Sequence, residues 1–186
     1  MAAELSSTHF ELFGLPQTFE VDRELLDSRF RELQRMAHPD RYAHASDQER
    51  RISMQQAIRI NEGYQTLKDP LRRGRYLLEL GGYDFSDEHH TTSDPEFLME
   101  QMELRETIGE VRSGPDPLDR LGVIMDRIAA DFDALAIRLR EQLAAGTVND
   151  HDVVADILMK MQFFRKLDEE TQELEASLED ELDQKH

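Results

Sequence analysis

Apolar residues along this chain recur at alternating steps of three and four, the spacing that lines one face of an α-helix. A short apolar segment of Phe10, Leu12, Phe13 and Leu15 stands before Pro16. Asp22 then offers an N-cap for a helix carrying Leu25, Leu26, Phe30 and Leu33. That helix must stop near Ala37, because the ring of Pro39 pushes His38 out of the α region. Ser46 and Glu49 have the spacing of a capping box, in which each side chain satisfies the other residue's free backbone donor. The helix they open has Ile52, Ala57, Ile60, Tyr64 and Leu67 as its expected buried face. Lys68-Asp69-Pro70 breaks it, and a short fourth helix over Leu71 to Leu80 ends at Gly81-Gly82.

The second half predicts three longer helices. Asp94-Pro95 and Asp116-Pro117 each pair an N-cap with proline at the first helical position, where a missing N–H is harmless. The middle helix shows Leu121, Met125, Ile128, Phe132, Leu135 and Leu139 and runs to near Gly146, and the last carries Val153, Ile157, Met161, Phe164, Leu174 and Leu178. Short connections make an antiparallel bundle the economical packing. Gly109 and Gly122 fall inside these helices, where each costs about 1 kcal/mol of propensity. The expected fold is all-α: short helices around a helical hairpin over 1–80, a linker over 81–93, and a three-helix bundle over 94–186.

Charge divides along the same line. Residues 1–80 hold 12 basic and 13 acidic side chains, a net of −1, while residues 81–186 hold 10 and 27, a net of −17. The total of −18 argues against a general binder of nucleic acid or of anionic membranes. With no Cys in the chain, disulfides, thiolate zinc sites and cysteine nucleophiles are excluded. The first thirty residues lack the pattern of a secretory signal, and no apolar run approaches the length of a membrane span, so a soluble cytoplasmic protein is expected. Asp87, Glu88, His89 and His90 cluster in the linker, but further ligands at helical or hairpin spacing are missing, so no metal or cofactor is expected. The acidic runs Asp168-Glu169-Glu170 and Glu179-Asp180-Glu181 read as a solvated helix face, since Leu174, Leu178 and Leu182 are spaced for packing. A DNA-mimicking surface is the sharper alternative.

The strongest chemical signal is His38-Pro39-Asp40 between two helices, with Arg29, Arg31 and Arg35 on the helix before it and Arg41 after it. Asp40 offers a bidentate acceptor to a partner's arginine, with His38 as a hydrogen-bonding companion and Pro39 fixing the chain. The arginines suit steering toward an acidic patch. No nucleophile, phosphate loop or oxyanion-hole motif accompanies them, so an enzyme is not expected.

The tripeptide in this setting resembles a J domain, the module that binds the ATPase domain of a DnaK-type chaperone and stimulates hydrolysis. Ala37 stands where such domains often have tyrosine, and Arg41 where they often have lysine. The run from Phe97 to Glu106 after Asp94-Pro95 is similar to the hallmark segment of the HscB family, J-domain co-chaperones of iron-sulfur cluster assembly. Phe10-Leu12-Phe13-Gly14-Leu15, Tyr76-Leu77-Leu78, and Phe163 with Lys166-Leu167 also match, in the same order.

At about 100° per residue, Phe97, Leu104, Ile108 and Val111 share one stripe of their helix. Leu98, Met99 and Met102 lie on the opposite side, continued by Glu103, Glu106 and Glu110. A second apolar patch facing away from a bundle core needs a cover, and methionines suit an adaptable contact. Either another part of the molecule covers it, or a partner does. The resemblance implies the partner: in HscB the corresponding face binds the scaffold protein IscU, which carries over to Leu98, Met99, Met102, Glu103, Glu106 and Glu110, with Phe163 from the last helix. It also implies that the J domain docks on the chaperone HscA through His38, Pro39, Asp40 and the arginines. A general J-domain protein serving DnaK would share the tripeptide without needing the patch.

Overall fold

The computed structural model describes residues 7–38, 46–83, 94–144 and 150–183. Among these residues seven α-helices follow in order: α1 (His9–Phe13), α2 (Arg23–Met36), α3 (Asp47–Lys68), α4 (Pro70–Leu80), α5 (Pro95–Glu110), α6 (Pro117–Leu143) and α7 (His151–Asp183), with one 3-10 turn over Val111–Ser113. The fold is all-α, and no strand occurs among the described residues. Contacts divide the chain into residues 1–84 with 142–149, and residues 85–141 with 150–186. The linker cluster Asp87, Glu88, His89 and His90 lies outside the described residues.

In the first unit the polar punctuation sets the helix ends. Thr8 and Glu11 form a capping box that starts α1, and Gly14 ends it at φ +63°, a left-handed value suited to glycine. Asp22 caps α2, and Ser46 with Glu49 closes the expected box at α3. Asp69 caps α4, whose first residue is Pro70. The core joins Phe10, Phe13 and Leu15 to Leu26, Ala37, Ile60 and Leu67. Phe30 stacks on Tyr64 with ring centroids 3.9 Å apart, and the Tyr64 hydroxyl donates to Asp27 Oδ1 at 3.0 Å. Gly63 lets α1 lie close on α3, since a Cβ there would come within 2.9 Å of the Phe13 ring.

One expected core position of this unit is corrected. Ile52 is exposed, because at that level of α3 the inward position belongs to Ser53, which lies only about 20° from Ile60 around the helix. Leu25 is likewise exposed, and its neighbour Leu26 takes the buried place.

In the second unit Asp94 caps α5 and Asp150 caps α7 by accepting the N–H groups of Asp152 and Val153. Asp116, before Pro117, adopts φ +47°, which aspartate tolerates better than most residues. The bundle buries Phe97, Leu104 and Val111 of α5 and its 3-10 end, Leu121, Ile128, Leu135 and Leu139 of α6, and Ile157, Met161, Phe164 and Leu178 of α7. Helix α7 buries a wider face than the three-four spacing marks, adding Val154, Leu158 and Leu167. Val153 is exposed instead: in the first turn its neighbour Val154 faces the core. Side-chain pairs between α5 and α7 run in parallel, from Asp94 with Lys160 to Arg112 with Glu181. The first and third helices therefore share a direction, and α6 runs antiparallel to both.

Candidate functional site

One candidate docking face lies in each unit. In the first, α2 presents Arg29, Arg31 and Arg35 to solvent, and His38 is exposed just beyond its end. Pro39, Asp40 and Arg41 lie outside the described residues. The end of α2 is pinned: the Ala37 N–H donates to the Leu33 carbonyl, and the Ala37 carbonyl accepts the Ser53 Oγ hydroxyl at 3.0 Å. Ser53 is buried, so the bond is shielded from water. Arg31, Gln34, Arg35 and His38 line one cleft of about 760 Å³ together with Ala57 and Asn61 of α3. Gln34 Nε2 donates to Asn61 Oδ1 at 3.3 Å across the two helices. Arg29 is not brought to this cleft. It stands about 160° from Arg31 around α2 and pairs with Glu32 at 3.1 Å.

In the second unit α5 has two faces. Phe97, Leu104 and Val111 point into the bundle, whereas Leu98 is 43% exposed, Met99 64% and Met102 72%. Glu103, Glu106 and Glu110 are exposed along the same helix. Phe163 is half-buried at the edge, in T-shaped contact with Phe97 at 5.5 Å. Among the described residues of its own unit, the apolar side of α5 is thus left open, with a carboxylate border.

Two contributors to this site are not among the expected residues. Arg105 holds its guanidinium 5.8 Å from the Phe163 ring centroid and pairs with Glu170 at 3.8 Å, so it supports Phe163 from outside. Lys160, buried in α7, reaches Asp94 Oδ2 at 2.7 Å and Asp156 Oδ2 at 2.9 Å. Burial alone would lower its pKa, but the hydrogen bonds to Asp94 and Asp156 outweigh that and hold it above the ordinary lysine value. The same bond to Lys160, aided by the backbone N–H of Phe97, holds the Asp94 carboxyl below its ordinary value. The signal for Lys160 was a lysine inside the apolar stripe of α7; Arg105 gave none.

No group of three His, Asp or Glu residues suited to a metal ion occurs among the described residues, and no described helix is long and apolar enough to cross a membrane. The arrangement offers surfaces for binding: an apolar helix side bordered by acids, and a cleft bordered by arginines.

A family model described as the HSCB C-terminal oligomerisation domain matches residues 93–172. The chain is 44% identical over 178 residues to a co-chaperone protein HscB homolog of Ralstonia nicotianae, a match spanning 94% of this chain and 98% of that protein. Among solved structures, chaperone HscB from Vibrio cholerae is similar with a TM-score of 0.81 at 43% identity, over 92% of this chain and 99% of that one. Human co-chaperone protein HscB gives a TM-score of 0.80 at 28% identity, over 90% of this chain and 81% of its own. With such identity along nearly the whole of both chains, this protein belongs to the HscB co-chaperone family.

Proposed function

We propose that this protein captures the iron-sulfur scaffold protein IscU on α5, docks its first unit on the DnaK-type chaperone HscA, and stimulates ATP hydrolysis by HscA. Cluster transfer to acceptor proteins is promoted as a result, in the cytoplasm. The observation that carries this reading is the two-faced α5, with Leu98, Met99 and Met102 in solvent and Phe97, Leu104 and Val111 in the core. Leu98, Met99, Met102 and the edge of Phe163 supply apolar contact area, and Glu103, Glu106 and Glu110 select a partner with basic groups at its rim. In the first unit, His38, Pro39 and Asp40 form the contact on the chaperone, while Arg31, Arg35 and Arg41 complement an acidic surface and Arg29 adds to the longer-range field. The protein performs no covalent chemistry; two surfaces on one chain raise the local concentration of client at its chaperone.

The test is titration calorimetry with purified IscU. Leu98→Ala with Met102→Ala is expected to weaken binding by about ten-fold or more, as loss of central apolar anchors does. Asp40→Asn is expected to leave it unchanged. Unaltered affinity in the double variant refutes the α5 interface. The description of the matching family model favours one second reading, in which α5 pairs with a second copy of the chain. Sedimentation of the native protein and the double variant separates the two, because only self-association makes the native mass depend on its own concentration.

A further inference from the structure

Helix α3 carries an apolar strip that the core does not use. Met54 is 65% exposed and Ile58 53%, four residues apart and therefore adjacent on the helix surface. Around α3 they stand about 120° and 160° from the buried Ile60, next to Asn61 and Ala57, which form the α3 wall of the cleft at the end of α2. The opposite wall is Arg31 and Arg35, with His38 in the same lining. Arg51, also exposed, lies on the far side of the strip, and the nearby Asp47 is paired with Arg50. The strip therefore continues the arginine-bordered surface of the proposed chaperone contact.

We propose that Met54 and Ile58 form a second, apolar contact for the same chaperone ATPase, receiving an apolar side chain that is flanked by carboxylates. This rests on the docking reading given above. Charge selects the occupant. The strip is edged by Arg31, Arg35 and Arg51 against a single carboxylate, Glu62, one turn after Ile58, whereas the apolar side of α5 is edged by Glu103, Glu106 and Glu110. A client complementary to the acidic border is not complementary to the basic one. Apolar burial here adds affinity that salt does not screen, while the arginines act on encounter.

The experiment uses the full chain with Met54→Gln and Ile58→Gln together, both surface positions where glutamine is a good helix former. HscA ATPase activity is titrated with the native protein, this variant, Arg31→Ala with Arg35→Ala, and Asp40→Asn. The glutamine variant is expected to raise the concentration for half-maximal stimulation by about ten-fold, with the maximum retained and the shift the same at low and high salt. Leucine at both positions restores the native value, and IscU affinity is unchanged. The arginine variant's shift shrinks with salt. If Asp40→Asn abolishes stimulation and the glutamine variant matches the native curve, the apolar contact is overturned while the docking reading stands. Loss of IscU affinity, or a change confined to self-association in sedimentation, overturns it in favour of the client or of a second copy. Full stimulation by Asp40→Asn overturns the docking reading and this contact with it.

Discussion

Lys160 Nζ sits 2.7 Å from Asp94 Oδ2, while the other oxygen of that carboxylate, Oδ1, accepts the backbone N–H groups of Glu96 and Phe97 at 3.1 and 3.2 Å. One aspartate side chain thus satisfies two free donors in the first turn of α5 and ties that helix start to α7. The tie lies directly before Leu98 and Met99, so the face assigned to the client begins at a fixed point.

Replacing the cation should loosen that point. Lys160→Met is expected to lower stability by about 1–2 kcal/mol, discounted because both partner carboxylates are partly exposed. Hydrogen exchange should accelerate at the amides of Phe97 to Met99. The Lys160 pKa is raised, so its contribution is complete below the ordinary lysine value and disappears as pH rises through the folded one. Asp94 is depressed, so its contribution is present above the ordinary carboxylate value and disappears as pH falls through the folded one. Thermal unfolding across pH should show the native advantage over Lys160→Met constant near neutrality and lost at both extremes.

Ser53→Ala removes the hydroxyl that donates to the buried Ala37 carbonyl just before His38. A cost of about 1–3 kcal/mol is expected. Stimulation of HscA should fall while IscU affinity stays native, and Ser53→Thr should restore most of it. Equal stimulation by the alanine variant at matched folded fraction contradicts a positioning role for this hydroxyl.

The helical glycines divide by what surrounds them. Gly63→Ala would push a methyl into the Phe13 ring and the His9 imidazole, at 2.9 and 3.0 Å, and should destabilise the first unit by about 1–3 kcal/mol. Nothing lies within 4 Å of a Cβ at Gly109 or Gly122, so alanine there should stabilise by about 1 kcal/mol each. Denaturant midpoints of the three variants check the signs.

His9 makes the first unit sensitive to acid. Its ring packs 4.6 Å from Tyr76, and Nδ1 is buried with no hydrogen-bond partner. Burial, assisted by the nearby Arg59 and opposed by Glu62, holds its pKa below the usual histidine value. The unfolded chain therefore takes up the proton first, and stability should fall as pH drops below about 6.5. His9→Gln should lose this part of the acid dependence, measured as the difference in unfolding midpoint between neutral and mildly acidic buffer.

Helix ends were legible in the sequence because they depend on neighbours along the chain. Asp22, the Ser46–Glu49 box, Asp69-Pro70 and Asp94-Pro95 all act within a few residues of themselves. The two-faced α5 was legible too, since a wheel needs only the local period. What periodicity missed depends on partners far away in sequence. Ser53 is inside because the Ala37 carbonyl just past α2 accepts its hydroxyl, and Lys160 because Asp94, 66 residues earlier, neutralises it. Gly63 reads as a helix weakness until α1 is seen to lie against it. Arg105 looks like any exposed arginine of an acidic helix, and only the ring of Phe163 gives it a place.

The two-surface mechanism is tested most directly by HscA ATPase turnover, with and without IscU, in three proteins: native, Asp40→Asn, and Leu98→Ala with Met102→Ala. Asp40→Asn should give no stimulation under either condition. The α5 double variant should stimulate HscA alone like the native chain and lose only the extra increment that IscU supplies. Full stimulation by Asp40→Asn, or an undiminished IscU increment in the α5 variant, would contradict the division of labour between the two units.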